Sequence, residues 1–117
     1  MYAMQRAYSE SKTSNMKTEE EKAIEKKLNA ALKLRGGWGL KLLTDFIKGL
    51  PDRLCLLPGG VVFFVEVKTT KKRSSKMQIY IHSKLRNLGF SVYVLDNSGR
   101  ITEIIENERN RFTRVPK

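Results

Sequence analysis

Two acidic residues stand in a stretch that is otherwise basic. Between Phe46 and Leu95 the acids are Asp52 and Glu66, against nine cations: Lys48, Arg53, Lys68, Lys71, Lys72, Arg73, Lys76, Lys84 and Arg86. Pro58-Gly59-Gly60 separates two apolar runs and predicts a hairpin. Centred on Gly59, that hairpin sets 57 opposite 61, 55 opposite 63, and Asp52 opposite Glu66. Cross-strand neighbours lie about 5 Å apart at Cβ. Two ionised carboxylates at that spacing repel by about 3 kcal/mol at an effective dielectric near 20. A divalent cation between them would offset the repulsion and could activate water. Lys68, two residues past Glu66, shares its face of the strand. The competing reading makes Asp52 a turn cap after Pro51 and Glu66 a surface partner of Lys68. Pro-Asp and Glu-x-Lys together, across one hairpin, favour the metal.

The composition excludes most other chemistry. Cys55 is the single cysteine and His82 the single histidine, which removes disulfide frameworks, Ser-His-Asp and Cys-His catalysis and poly-His metal sites. No apolar run approaches the roughly 20 residues of a membrane helix, the longest being Val61 to Val65. A cytoplasmic protein with neither a membrane contact nor a small-molecule cofactor is expected. Lys and Arg total 23 against 12 Asp and Glu, a formal net charge of +11, so the expected partner is a polyanion. Lys71, Lys72, Arg73 and Lys76 follow the Glu-x-Lys strand directly and Arg53 flanks Asp52. Such a cluster repels itself unless phosphates are near. Trp38 and Tyr80 offer rings on which bases could stack but are read as core in preference, Cys55 is read as a small core hydrophobe, and His82 receives no role.

The elements that must position these groups can be read from periodicity and caps. Residues 1–17 lack periodicity and are expected to be a flexible lead-in. Residues 18–106 form the domain, and 107–117 are expected to be a flexible basic tail. Thr18 with Glu21 has the form of a capping box, and Ile24, Leu28, Ala31 and Leu32 continue at helical spacing as far as Gly36-Gly37. Trp38 to Leu43, Arg53 to Leu57 and Val61 to Lys68 read as strands. Ser75 with Gln78 opens a second helix with an apolar stripe of Met77, Ile81, Leu85 and Leu88, closed by Gly89. Ser91 to Leu95 reads as a strand, and Arg100 to Ile105 as a last strand or short helix. Helix, three strands, helix, strand implies an α/β fold, a small mixed sheet flanked by helices.

Pro51-Asp52 followed by Glu66-Val67-Lys68 resembles the PD-(D/E)xK motif of the restriction-endonuclease-like superfamily. Further residues resemble the VRR-Nuc (virus-type replication-repair nuclease) family in its compact, stand-alone phage form: Glu25, Gly36-Gly37, Lys41, Gly49-Leu50-Pro51-Asp52-Arg53, Pro58-Gly59-Gly60, Phe64 to Lys68, Gln78, and Leu85 to Gly89. The resemblance runs from about Glu21 to Leu95. It implies that Asp52, Glu66 and the backbone carbonyl of Val67 bind Mg²⁺, with Mn²⁺ able to substitute. It also implies that Lys68 positions or deprotonates the attacking water, that Glu25 is the helix-borne acid with Glu21 as its alternate, and that Gln78 orients Lys68 or the water. Gln78 has an equally simple role in closing its own capping box. Lys41 joins the DNA-contacting set of Arg53, Lys71, Lys72, Arg73 and Lys76. The function implied is a structure-specific endodeoxyribonuclease that cuts branched DNA such as Holliday junctions as a homodimer, in DNA repair. A monomeric flap or single-strand nuclease is the alternative, and a non-catalytic nucleic-acid-binding module a third. The dimer interface is expected on the Met77–Leu88 helix or the Ile101–Ile105 segment.

Overall fold

The computed structural model describes residues 17–43, 45, 47–69 and 73–113. Helix α1 (Glu19–Leu34) opens on the anticipated capping box. The Thr18 hydroxyl accepts from the Glu21 N–H, and the Glu21 carboxylate accepts from the Thr18 N–H. The helix stops where Gly36 takes a φ of +79°, which places the Gly36 and Gly37 N–H groups on the carbonyls of Lys33 and Leu32. An L side chain resists that left-handed turn, and glycine does not.

Three strands follow, β1 (Trp38–Lys41), β2 (Arg53–Leu57) and β3 (Val61–Val67), paired antiparallel in sequence order. Helix α2 (Lys76–Asn87) then carries the chain back so that β4 (Ser91–Leu95) lies parallel to β3, completing the order β1-β2-β3-β4. The strand pleat divides the side chains. Cys55, Leu57, Val61, Phe63, Val65 and Val67 point to one face, where they meet Ile24, Leu28 and Leu32 of α1 and Ile101, Ile104 and Ile105 of the last helix in one core. Helix α2 adds nothing to that core, and its one buried residue is His82. On the opposite face Phe64 meets Phe90 edge-on, with ring centroids 5.8 Å apart.

The C-terminal part departs from expectation. A 3₁₀ turn (Ser98–Arg100), capped by Asn97, leads into α3 (Ile101–Thr113), so the fold runs past the expected boundary at 106. Glu108 is the reason. It is buried, and it accepts a hydrogen bond from the Tyr93 hydroxyl at 2.5 Å, which ties the third turn of α3 to β4. Trp38 and Tyr80, read as core, are 64% and 59% exposed. In the α2 stripe Ile81 and Leu85 are half-buried, whereas Met77 and Leu88 lie open. Residues 1–16, 114–117, Lys71 and Lys72 lie outside the described residues.

Candidate metal and active site

The β2–β3 register carries down to Arg53 opposite Val65, so the next step places Asp52 opposite Glu66, as the hairpin arithmetic requires. The Leu42 N–H holds the Asp52 carbonyl at 2.7 Å, and Asp52 Oδ2 accepts from the Val67 N–H at 2.9 Å. Both carboxylates are buried. One cation meets them. Lys17 Nζ lies 2.8 Å from Asp52 Oδ2 and 3.0 Å from Glu66 Oε2, and it donates to the Val67 carbonyl. Burial, then the charge of Asp52, push the Glu66 carboxyl up to about 7, although Lys17 and Lys68 pull the other way. For Lys17, burial works against the charged form, but Asp52 and Glu66 outweigh it and raise the pKa.

The donor set suits a hard divalent cation. Two carboxylate oxygens and a peptide carbonyl converge on the position of a positive charge, and all are oxygens, the ligands that Mg²⁺ and Mn²⁺ take. Glu66 Oε1 is buried and has no hydrogen-bond partner, which leaves one more oxygen for a ligand. Among the described residues no third His, Cys, Asp or Glu joins the pair into a metal-holding cluster. The other coordination positions would therefore fall to water and substrate oxygens, as is usual for Mg²⁺.

The other expected site residues divide. Lys68 continues β3, with its N–H on the Leu95 carbonyl at 3.0 Å, and its charge acts on Glu66. Gln78 is engaged in its capping box, with Oε1 accepting from the Ser75 N–H at 2.9 Å. Glu25, expected as the catalytic helix acid, instead pairs with Arg53, Oε1 to Nη2 at 3.1 Å. Arg53, expected on DNA, is thereby turned inward, because its parity with Cys55 and Leu57 aims it at the core face. Glu21, the alternate to Glu25, lies at the end of β3, where Oε2 accepts from the Thr69 N–H at 2.9 Å. Lys41, Arg73 and Lys76 are exposed, as phosphate contacts must be.

Two residues near the centre were not anticipated. Lys17 was read as lead-in, although its place just before the Thr18 cap was a usable signal, since a capped helix start is a fixed point. His82 is buried on α2 with Nε2 unpartnered. Burial, then Arg86, hold its imidazole below the usual pKa, while Asp52 pulls the other way and Lys68 adds to the depression. Nothing in the sequence told this histidine from a surface one.

No family model matches the chain. A curated relative, "Putative nuclease p44" of Acyrthosiphon pisum secondary endosymbiont phage 1, is 38% identical over 77 residues, which span 66% of this chain and 83% of the relative. A solved structure described as "VRR_NUC domain" superposes with a TM-score of 0.69 at 30% identity, covering 76% of this chain and 97% of that one. The mixed sheet and its helices match that fold, and the chain belongs to the VRR-Nuc family.

Proposed function

We propose that the chain is a metal-dependent endodeoxyribonuclease that cuts branched DNA such as Holliday junctions, using Mg²⁺ or Mn²⁺. One observation carries the reading: Asp52, Glu66 and the Val67 carbonyl converge on a single cationic position at the carboxyl end of β3. These three groups would hold the ion. When bound, a divalent ion lowers the pKa of a coordinated water and stabilises charge developing on the scissile phosphate. Lys68, on the face of Glu66, would orient that water or take its proton and would then face the pentavalent phosphate. Glu21, through Thr69, holds the chain beyond Lys68 in place. Lys41, Arg73 and Lys76, with Lys71 and Lys72, would carry the DNA phosphates.

Junction resolution needs two symmetric cuts, and one chain offers one site, so a C2 homodimer fits the task. Ile101, Ile104 and Ile105 are spent in the core, which removes that segment as an interface. Met77, Ile79, Tyr80 and Leu88 are exposed on and just after α2, and Phe90 beside them, which supports an interface there. The test is cleavage of labelled junction, flap, duplex and single-stranded substrates with Mg²⁺, Mn²⁺ or chelator, alongside Asp52→Asn and Glu66→Gln. Paired symmetric nicks on junctions, lost in both variants while DNA binding persists, are expected. Near wild-type turnover in either variant would refute the site. A monomer that cuts flaps alone would replace the junction reading with flap cleavage.

A further inference from the structure

We propose that Lys17 is a built-in cation of this centre, a place-holder that a divalent ion must displace before the site can work; this rests on the metal-site reading above. An ammonium has three N–H donors. Here three oxygens, Asp52 Oδ2, Glu66 Oε2 and the Val67 carbonyl, receive them. The donors that would surround a metal ion are thus saturated by one side chain, and the two cations compete for one volume.

The backbone of Lys17 is not free to wander. It precedes Thr18, which is locked in the capping box of α1, and Glu21 of that box also holds Thr69 just past β3. The same box therefore tethers the lysine to the strand end that bears the carboxylates. In the metal-free protein Lys17 relieves the repulsion between two buried, facing carboxylates with one positive charge. A divalent ion supplies two, so exchange is favourable but carries a cost. The apparent metal affinity is the intrinsic one reduced by the fraction of molecules in which the lysine has moved aside.

The experiment is titration calorimetry of Mn²⁺ into wild type, Lys17→Met, Lys17→Gln and Asp52→Asn, with melting temperatures of each protein in chelator. Lys17→Met is expected to bind about tenfold more tightly, as if a tenth of wild-type molecules were open, and to melt lower in chelator but not with metal bound. Lys17→Gln, which keeps two N–H donors for the carboxylates and is the milder change should the methionine variant fail to fold, should also bind more tightly than wild type. Equal or weaker binding in both lysine variants, with binding lost in Asp52→Asn, overturns the place-holder and leaves the metal site standing. Absence of binding in wild type and both lysine variants overturns the metal site and the place-holder together.

Discussion

The pair Glu25–Arg53 allows a test in which stability and catalysis separate. Glu25 Oε1 and Arg53 Nη2 are 3.1 Å apart, their side chains only 6% and 12% exposed, and Glu25 Oε2 and Arg53 Nε are buried with no hydrogen-bond partner. Removing one member strands the other. Arg53→Met would leave a buried carboxylate with neither oxygen satisfied, and breaking such a pair costs about 3–5 kcal/mol. Small domains hold only about 5–15 kcal/mol in total, so the single variant should be partly unfolded on mild warming. Replacing both, Glu25→Leu with Arg53→Met, should recover most of the loss, because apolar groups of similar volume are often neutral in place of a buried pair. Urea denaturation of wild type, Glu25→Leu, Arg53→Met and the double variant gives the coupling energy directly. A loss below about 1 kcal/mol for Arg53→Met, or a double variant no better than the single, would refute the argument. Cleavage by the same double variant then decides what Glu25 does: retained turnover makes it structural, whereas lost turnover in a stable protein makes it the helix acid of the reaction.

Glu66 predicts a pH dependence in chelator. Because burial and Asp52 raise its carboxyl to about 7, the folded protein holds a proton that the unfolded chain releases near its ordinary value. Stability should therefore be present below the ordinary range and fall as pH rises toward 7, a slope absent in Glu66→Gln. Gly49→Ala should cost at least about 2 kcal/mol in urea unfolding, since an L residue in a left-handed conformation already costs about 1–2; at φ +89° the new Cβ would also lie 2.5 Å from the Met77 carbonyl oxygen. Tyr93→Phe should lose about 1–3 kcal/mol by stranding a buried acceptor on Glu108, read as a lower melting temperature with cleavage intact. In DNA binding, Arg73→Ala and Lys76→Ala should each reduce the slope of log affinity against log salt by about 0.9, whereas Arg53→Met, turned inward, should leave it unchanged.

Most of the fold was legible because it is local. The capping boxes at Thr18 and Ser75, the glycine stop at Gly36 and the Pro58-Gly59-Gly60 turn are encoded within a few residues of where they act, and each appears where the spacing placed it. Register follows from turn length alone, so Asp52 and Glu66 could be paired by arithmetic. Two of the misreadings were also within reach. The parity that sends Cys55 to the core sends Arg53 after it, to its pairing with Glu25. The Thr18 cap marks Lys17 as held rather than loose.

Other features were set by partners distant in sequence. Glu108 turns an expected tail into the third turn of a helix, because Tyr93, fifteen residues earlier, reaches its carboxylate. Burial of His82 depends on how α2 lies beside the strand ends, and the exposure of Trp38 and Tyr80 on which surfaces the one core leaves uncovered. Hydrophobicity can nominate a residue for burial, but it cannot say which of two faces the chain has enough helices to cover. The choice between Glu21 and Glu25 is of the same kind. They lie one turn apart on one helix, and only the docking of α1 brings Arg53 to one and the Thr69 N–H to the other.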